Sequence, residues 1–152
     1  MQDVQDHFQL FLAGYAAAWA SPRFAGVLEL WDPCEPEPWH FPEELDQPLV
    51  GREAIATYLD AAADAIESFS VQVDNSAIKS LEGSFYTFRF MMRWCASMRG
   101  SALLPKPIGA QVRVSGVLRD TGDGLKLVHY MEAGPAALPY LVAQYEQFAQ
   151  GE

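Results

Sequence analysis

Ser84 to Met98 reads SFYTFRFMMRWCASM. With a period of two, Tyr86, Phe88, Phe90, Met92 and Trp94 fall on one face, and Thr87, Arg89, Met91, Arg93 and Cys95 on the other. Alternation of this length predicts a β-strand in a sheet with one apolar and one polar face. A helical period of 3.6 would not part the arginines from the aromatics. The aromatic face is expected to wall a core that also holds a pocket.

Outward from this stretch, Ser70 to Lys79 predicts a strand before it, with a turn near Glu82-Gly83. After it, Gly100 to Gly109 is a connection leading to a strand over Ala110 to Asp120. Thr121-Gly122-Asp123-Gly124 is a hairpin signal. It feeds a last strand, Leu125 to Ala133, in which Leu125, Leu127, His129 and Met131 alternate with Lys126, Val128, Tyr130 and Glu132. Helical patterns flank the strands. Val4 to Ala20 carries Phe8, Phe11, Leu12, Tyr15, Ala18 and Trp19 as one wide apolar stripe. Ser21-Pro22 suits a helix restart, with Phe24, Val27, Leu28 and Trp31 buried. A third helix follows Gly51, with Ile55, Tyr58, Leu59, Ala62 and Ile66 as its stripe. Residues 139–150 predict a short C-terminal helix. Between the second and third, residues 33–48 hold Pro33, Pro36, Pro38, Pro42 and Pro48, are rich in Asp and Glu, and lack Lys and Arg. They predict a loop with at most an edge strand near Trp39-His40-Phe41. Helices first and strands afterwards is the α+β order.

The chain has 152 residues, half of them hydrophobic, and a net charge of −10. That length suits one domain with a real core. The charge disfavours nucleic acid and anionic lipid as partners. Leu10 to Ala20 is too short to span a bilayer and the start lacks a basic leader, so a cytoplasmic protein is expected. Cys34 and Cys95 show no metal or redox spacing. His7, His40 and His129 are scattered, and His129 and Glu132 would point to opposite faces of a strand. No metal site and no cofactor is therefore expected.

Several segments together resemble the nuclear-transport-factor-2-like superfamily, and within it the SnoaL-like and ketosteroid-isomerase-like proteins. They are Phe11-Leu-Ala-Gly-Tyr15-Ala-Ala-Ala-Trp19, Val27-Leu-Glu-Leu-Trp31, Pro48-Leu-Val-Gly-Arg-Glu-Ala-Ile55 and Gly124-Leu-Lys-Leu-Val-His-Tyr-Met-Glu132. The likeness runs from about Asp6 to Gly134, within a single domain over 1–152. It implies an α+β cone, a curved mixed sheet wrapped around the N-terminal helices, and a homodimer through the outer sheet face. The superfamily holds both enzymes and non-catalytic members. Tyr15 matches the isomerases' oxyanion-donating tyrosine. Their two aspartates correspond to Phe41 and to a position near Gly116, so that carboxylate mechanism is absent. The epoxide hydrolases' Asp-Arg-Asp set is not recognisable, since Arg89, Arg93, Arg113 and Arg119 lie opposite the apolar faces.

The resemblance also implies that the His129–Met131 face lines the pocket. His129 is then either a general acid–base group or a space-filling histidine. His40 is either a replacement for the missing acid or a loop histidine facing water. Tyr15 is a candidate hydrogen-bond donor to a developing oxyanion. Trp19, Tyr58, Tyr86, Phe88, Phe90, Trp94, Val114, Gly116 and Met131 are candidate ligand-binding residues for a small apolar molecule. For Tyr58 and Tyr86, plain packing is the competing expectation. The acidic loop is either a gate or a solvated run. Two functions stay open: a cofactor-independent isomerase, dehydratase or cyclase, and a non-catalytic module for an apolar ligand or a partner.

Overall fold

A computed structural model describes residues 2–100, 106–134 and 138–149. The elements run α1 (Gln2–Ala20), two 3₁₀ turns (Pro22–Phe24 and Leu28–Leu30), β1 (Trp39–Phe41), β2 (Leu49–Val50), α2 (Arg52–Ala65), β3 (Ile66–Ser80), β4 (Phe85–Met98), β5 (Ile108–Asp120), β6 (Leu125–Ala133) and α3 (Leu138–Ala149). The six strands form one sheet in the order β2-β1-β6-β5-β4-β3. All pairs are antiparallel except β1 with β6, which is parallel. This is the expected α+β cone with a curved mixed sheet.

The period-two reading of β4 holds. Phe88, Phe90, Met92 and Ala96 are buried, with Tyr86 and Trp94 packed beside them, while Arg89 and Arg93 are exposed. The stripe of α1 lies on this face: Phe8 and Phe11 meet Phe88, and Tyr15 meets Phe90 edge-on at 5.3 Å. Such aromatic pairs each add about 0.5–1.5 kcal/mol beyond burial. On the outer face Arg93 pairs with Asp74 at 2.8 Å.

Three expected elements differ. The helix restart after Ser21 is only the two 3₁₀ turns, because Arg23 and Phe24 take positive φ (54° and 56°) and break the path. Phe24, Val27 and Trp31 are buried all the same. Ile66 leaves the third helix and opens β3, which is longer than expected at both ends. The Trp39–Phe41 segment is not an edge strand, since β6 pairs with one side of it and β2 with the other. The connection after Gly100 falls partly outside the described residues, as does Gln150.

The decisive irregularity lies in β6. Val117 pairs with His129 while its neighbour Leu118 pairs with Leu127, so Val128 is an extra residue. A bulge of this kind reverses which face later side chains take. Leu125 and Leu127 point into the core, but beyond Val128 it is Tyr130 that is buried and Met131 that is exposed. Gly116 of β5 sits opposite. A Cβ there would lie 2.1 Å from the His129 carbonyl oxygen and 2.9 Å from the Phe88 ring. Only a residue without a side chain lets the bulged strand approach this closely.

Gly116→Ala should therefore destabilise the fold by about 1–3 kcal/mol through forced overpacking. The urea unfolding midpoint is the check, and an unchanged midpoint would contradict the close approach.

Candidate functional site

A cavity of about 350 Å³ opens inside the cone. Its walls come from α1 (Trp19), the first 3₁₀ turn (Phe24), α2 (Tyr58, Ala62), β3 (Ile66, Phe69), β4 (Met92, Trp94, Ala96, Met98) and β5 (Ile108). Glu43 and Glu44, from the segment after β1, and Glu132 of β6 supply its charged groups. Trp94 stacks on Phe69, with centroids 5.7 Å apart and planes at 15°. Trp19 meets Phe24 edge-on at 5.3 Å.

Glu132 is the chemical centre of this cavity. Its Oε1 accepts a hydrogen bond from the Tyr130 hydroxyl at 2.8 Å, and its Oε2 accepts the Glu43 backbone N–H at 3.4 Å. The Tyr130 hydroxyl lies 2.5 Å from that of Tyr15. Tyr130 directs its one proton to Glu132, and the one proton of Tyr15 is shared between Tyr130 and Met92 Sδ, 3.0 Å away. The result is a polar chain, Tyr15 to Tyr130 to Glu132, running from the packed core to the cavity wall. Burial raises the Glu132 pKa to about 7, offset by the Tyr130 and Glu43 hydrogen bonds and reinforced by the charges of Glu44 and Glu43. Burial, followed by the charge of Glu132, holds both tyrosines well above their ordinary value. They therefore stay neutral donors.

The rim is built from the same residue types. Trp94 donates its indole N–H to Glu43 Oε1 at 3.3 Å, and Tyr58 donates to Glu44 Oε1 at 2.5 Å. Burial raises the Glu43 pKa, less the Trp94 hydrogen bond and with the Glu44 charge added. Two residues of the acidic loop, Glu43 and Glu44, thus line the cavity.

The expected site residues separate into three groups. Trp19, Tyr58 and Trp94 line the cavity. Phe88, Phe90 and Val114 are buried in the packed core, with Tyr86 half-buried against it, and Gly116 serves the bulge; none of them is among the cavity's lining residues. His129 and Met131 are a correction. The bulge at Val128 turns both to the outer face, where His129 packs on the half-exposed Trp39 ring at 5.7 Å. His129 thus lies across the sheet from Tyr15. Burial lowers its pKa.

His40 is a second correction, since it neither faces water nor enters the cavity. It is 1% exposed, boxed by the rings of Trp31, Tyr58 and Tyr130, and neither ring nitrogen has a hydrogen-bond partner among the described residues. Burial lowers its pKa to about 4. Tyr15 is buried as well and reaches the cavity through Tyr130 and through Met92, whose Sδ accepts from its hydroxyl at 3.0 Å. The residues that sequence reasoning missed are Tyr130 and Glu132. Strict alternation assigns both to the outer face, and only the bulge reverses this; Gly116 was the single available signal.

A family model for the SnoaL-like domain matches residues 9–136. The chain belongs to the SnoaL-like family. Its fold is shared by a nuclear transport factor 2-like protein from Salmonella enterica serovar Typhimurium, with TM-score 0.75, 16% identity, and coverage of 90% of this chain and 94% of that one. A candidate dehydratase from Streptomyces avermitilis gives TM-score 0.77 and 16% identity over 90% and 100%. A candidate scytalone dehydratase from Novosphingobium aromaticivorans gives 0.74 and 10% over 90% and 89%. These TM-scores show a shared fold. Among curated protein sequences none matches this SnoaL-like chain.

Two buried groups should give opposite pH slopes to stability. Glu132 has a folded pKa raised from 4.5 to about 7, so its contribution is complete below about 4.5 and lost as pH rises to about 7. His40 has a folded pKa lowered from 6.5 to about 4, so its contribution is complete above about 6.5 and lost as pH falls to about 4. In the wild type these slopes largely cancel between them. Glu132→Gln should unmask stability that rises with pH over this window, and His40→Leu stability that falls. Thermal melts from pH 4.5 to 7 are the measurement.

Proposed function

We propose that this SnoaL-like protein binds a small, ring-bearing, largely apolar molecule in the cone and moves a proton on it through Glu132. The observation that carries the reading is a carboxyl group on an apolar cavity wall whose pKa lies near 7. Such a group is divided between acid and base at neutral pH, where general acid–base catalysis is most effective. Tyr130 orients the carboxyl and is itself oriented by Tyr15.

Proton transfer next to a carbonyl fits this arrangement. Glu132 takes the carbon-bound proton, electron density moves to the carbonyl oxygen as the enolate forms, and the proton returns at oxygen or at another carbon. Isomerisation, dehydration and cyclisation share this step and need no cofactor. The dehydratase assignments of the structural neighbours are compatible with it. Here a carboxylate fills the acid–base role for which histidine was the expected candidate, and Tyr15 acts as a positioning residue.

A second reading rests on the outer sheet face. A groove of about 300 Å³ there has Arg89, Met91, Arg113, Ser115, Met131 and Ala133 among its lining residues, and Trp39 is exposed. This supports a homodimer through that face, with or without catalysis. Met131→Glu should shift the molecular mass from dimer to monomer in size-exclusion chromatography with light scattering. A mass unchanged by the substitution would remove this reading.

The catalytic reading is checked with 1-tetralone in D₂O, following α-proton exchange by NMR. The wild type should accelerate exchange, with a rate that rises through about pH 7 and then levels. Glu132→Gln should lower the rate by about 100-fold. Exchange that ignores this substitution would overturn the role given to Glu132.

A further inference from the structure

The cavity has a charge preference as well as a shape. Trp19, Phe24, Phe69 and Trp94 present four aromatic rings to one space, and Glu43, Glu44 and Glu132 stand along it. Among the described residues no Lys, Arg or His lines it. We propose that the ligand of this cavity is a cation: a ring-bearing amine or quaternary ammonium compound, held between the aromatic faces and the carboxylates. This inference rests on the reading of the cavity as a ligand site and names its substrate class.

Three physical terms favour a cation. The faces of Trp, Tyr and Phe rings carry negative electrostatic potential and attract ammonium groups, more strongly where water is excluded. The three carboxylates repel one another in a medium of low dielectric constant, and a cation among them turns that repulsion into attraction. An anionic ligand would add a fourth negative charge. The net charge of −10 also draws cations toward the protein from a distance. A neutral ligand of the same shape gains only the apolar contact.

The geometry links binding to protons. Glu132 faces Tyr130 on its own strand, Tyr15 from α1, Tyr58 from α2, and Glu43 and Glu44 from the segment after β1. His40 of β1 packs on Tyr130 and Tyr58. The tyrosines stay protonated and His40 stays neutral near pH 7. Glu132, with Glu43 as a smaller partner, is thus the group whose proton a bound cation expels. Affinity for a cation should rise as pH passes through about 7.

The test compares benzyltrimethylammonium with its neutral isostere 2,2-dimethylpropylbenzene, by quenching of tryptophan fluorescence at pH 5.5 and pH 8. The cation should bind about tenfold more tightly than the isostere at pH 8, and the preference should shrink to about threefold or less at pH 5.5. Calorimetry in buffers of different ionisation enthalpy should register proton release on cation binding near pH 7. Glu132→Gln should abolish the pH dependence, and Glu43→Gln, a rim variant that leaves the buried chain intact, should lower the preference. Equal binding of both compounds at pH 8 overturns the cation inference while the apolar-ligand reading stands. If neither compound binds, both readings fall.

Discussion

A side chain on a strand can face only one of two ways, and the chemistry of this cone depends on one reversal of that choice. The extra residue Val128 turns Tyr130 and Glu132 inward and His129 and Met131 outward. The reversal is possible because Gly116, on the neighbouring strand, has no Cβ to collide with the His129 carbonyl. Without it the cavity would be lined by an imidazole and a thioether. With it, the cavity carries a carboxyl group on a tyrosine pair.

Burying that carboxyl sets the electrostatics of the interior. An isolated carboxylate there would be costly, and the two available remedies are protonation and hydrogen bonding. Glu132 uses both in part. Desolvation and two neighbouring glutamates push its pKa up, and the Tyr130 hydroxyl and a backbone N–H restrain the rise. His40, nearby but without a hydrogen-bond partner among the described residues, stays neutral. Two titratable groups on adjacent strands thus shift in opposite directions, each toward its neutral form, for the same reason, the removal of water.

The sheet's two faces carry separate tasks. The inner face joins α1 through tilted and edge-on aromatics and leaves a hollow where the rings of Trp19, Phe24, Phe69 and Trp94 do not fill the cone. The outer face carries the arginines, whose partners include Asp74 for Arg93 and the Asp32–Glu35 pair for Arg119. Arg119 also lies over the Phe85 ring. That acid–arginine–acid cluster is not among the residues of the cavity, and it fastens the segment ahead of β1 to β5.

Periodicity alone was enough to determine the α+β class, the aromatic face of β4, the stripe of α1 and the outward arginines. Each is a repeated local preference, summed over many residues, so one exception does not hide it. Order and spacing of several such segments were enough for the family. What only the tertiary structure decided is the direction of Glu132. A bulge is a single-residue event that depends on the fit between two strands, and it leaves the hydrophobic pattern of Leu125, Leu127, His129 and Met131 apparently unbroken. The burial of His40 and the approach of Glu43 to Trp94 are likewise contacts between distant segments. Composition assigns such residues to a loop; only packing against β6 and β4 determines what surrounds them.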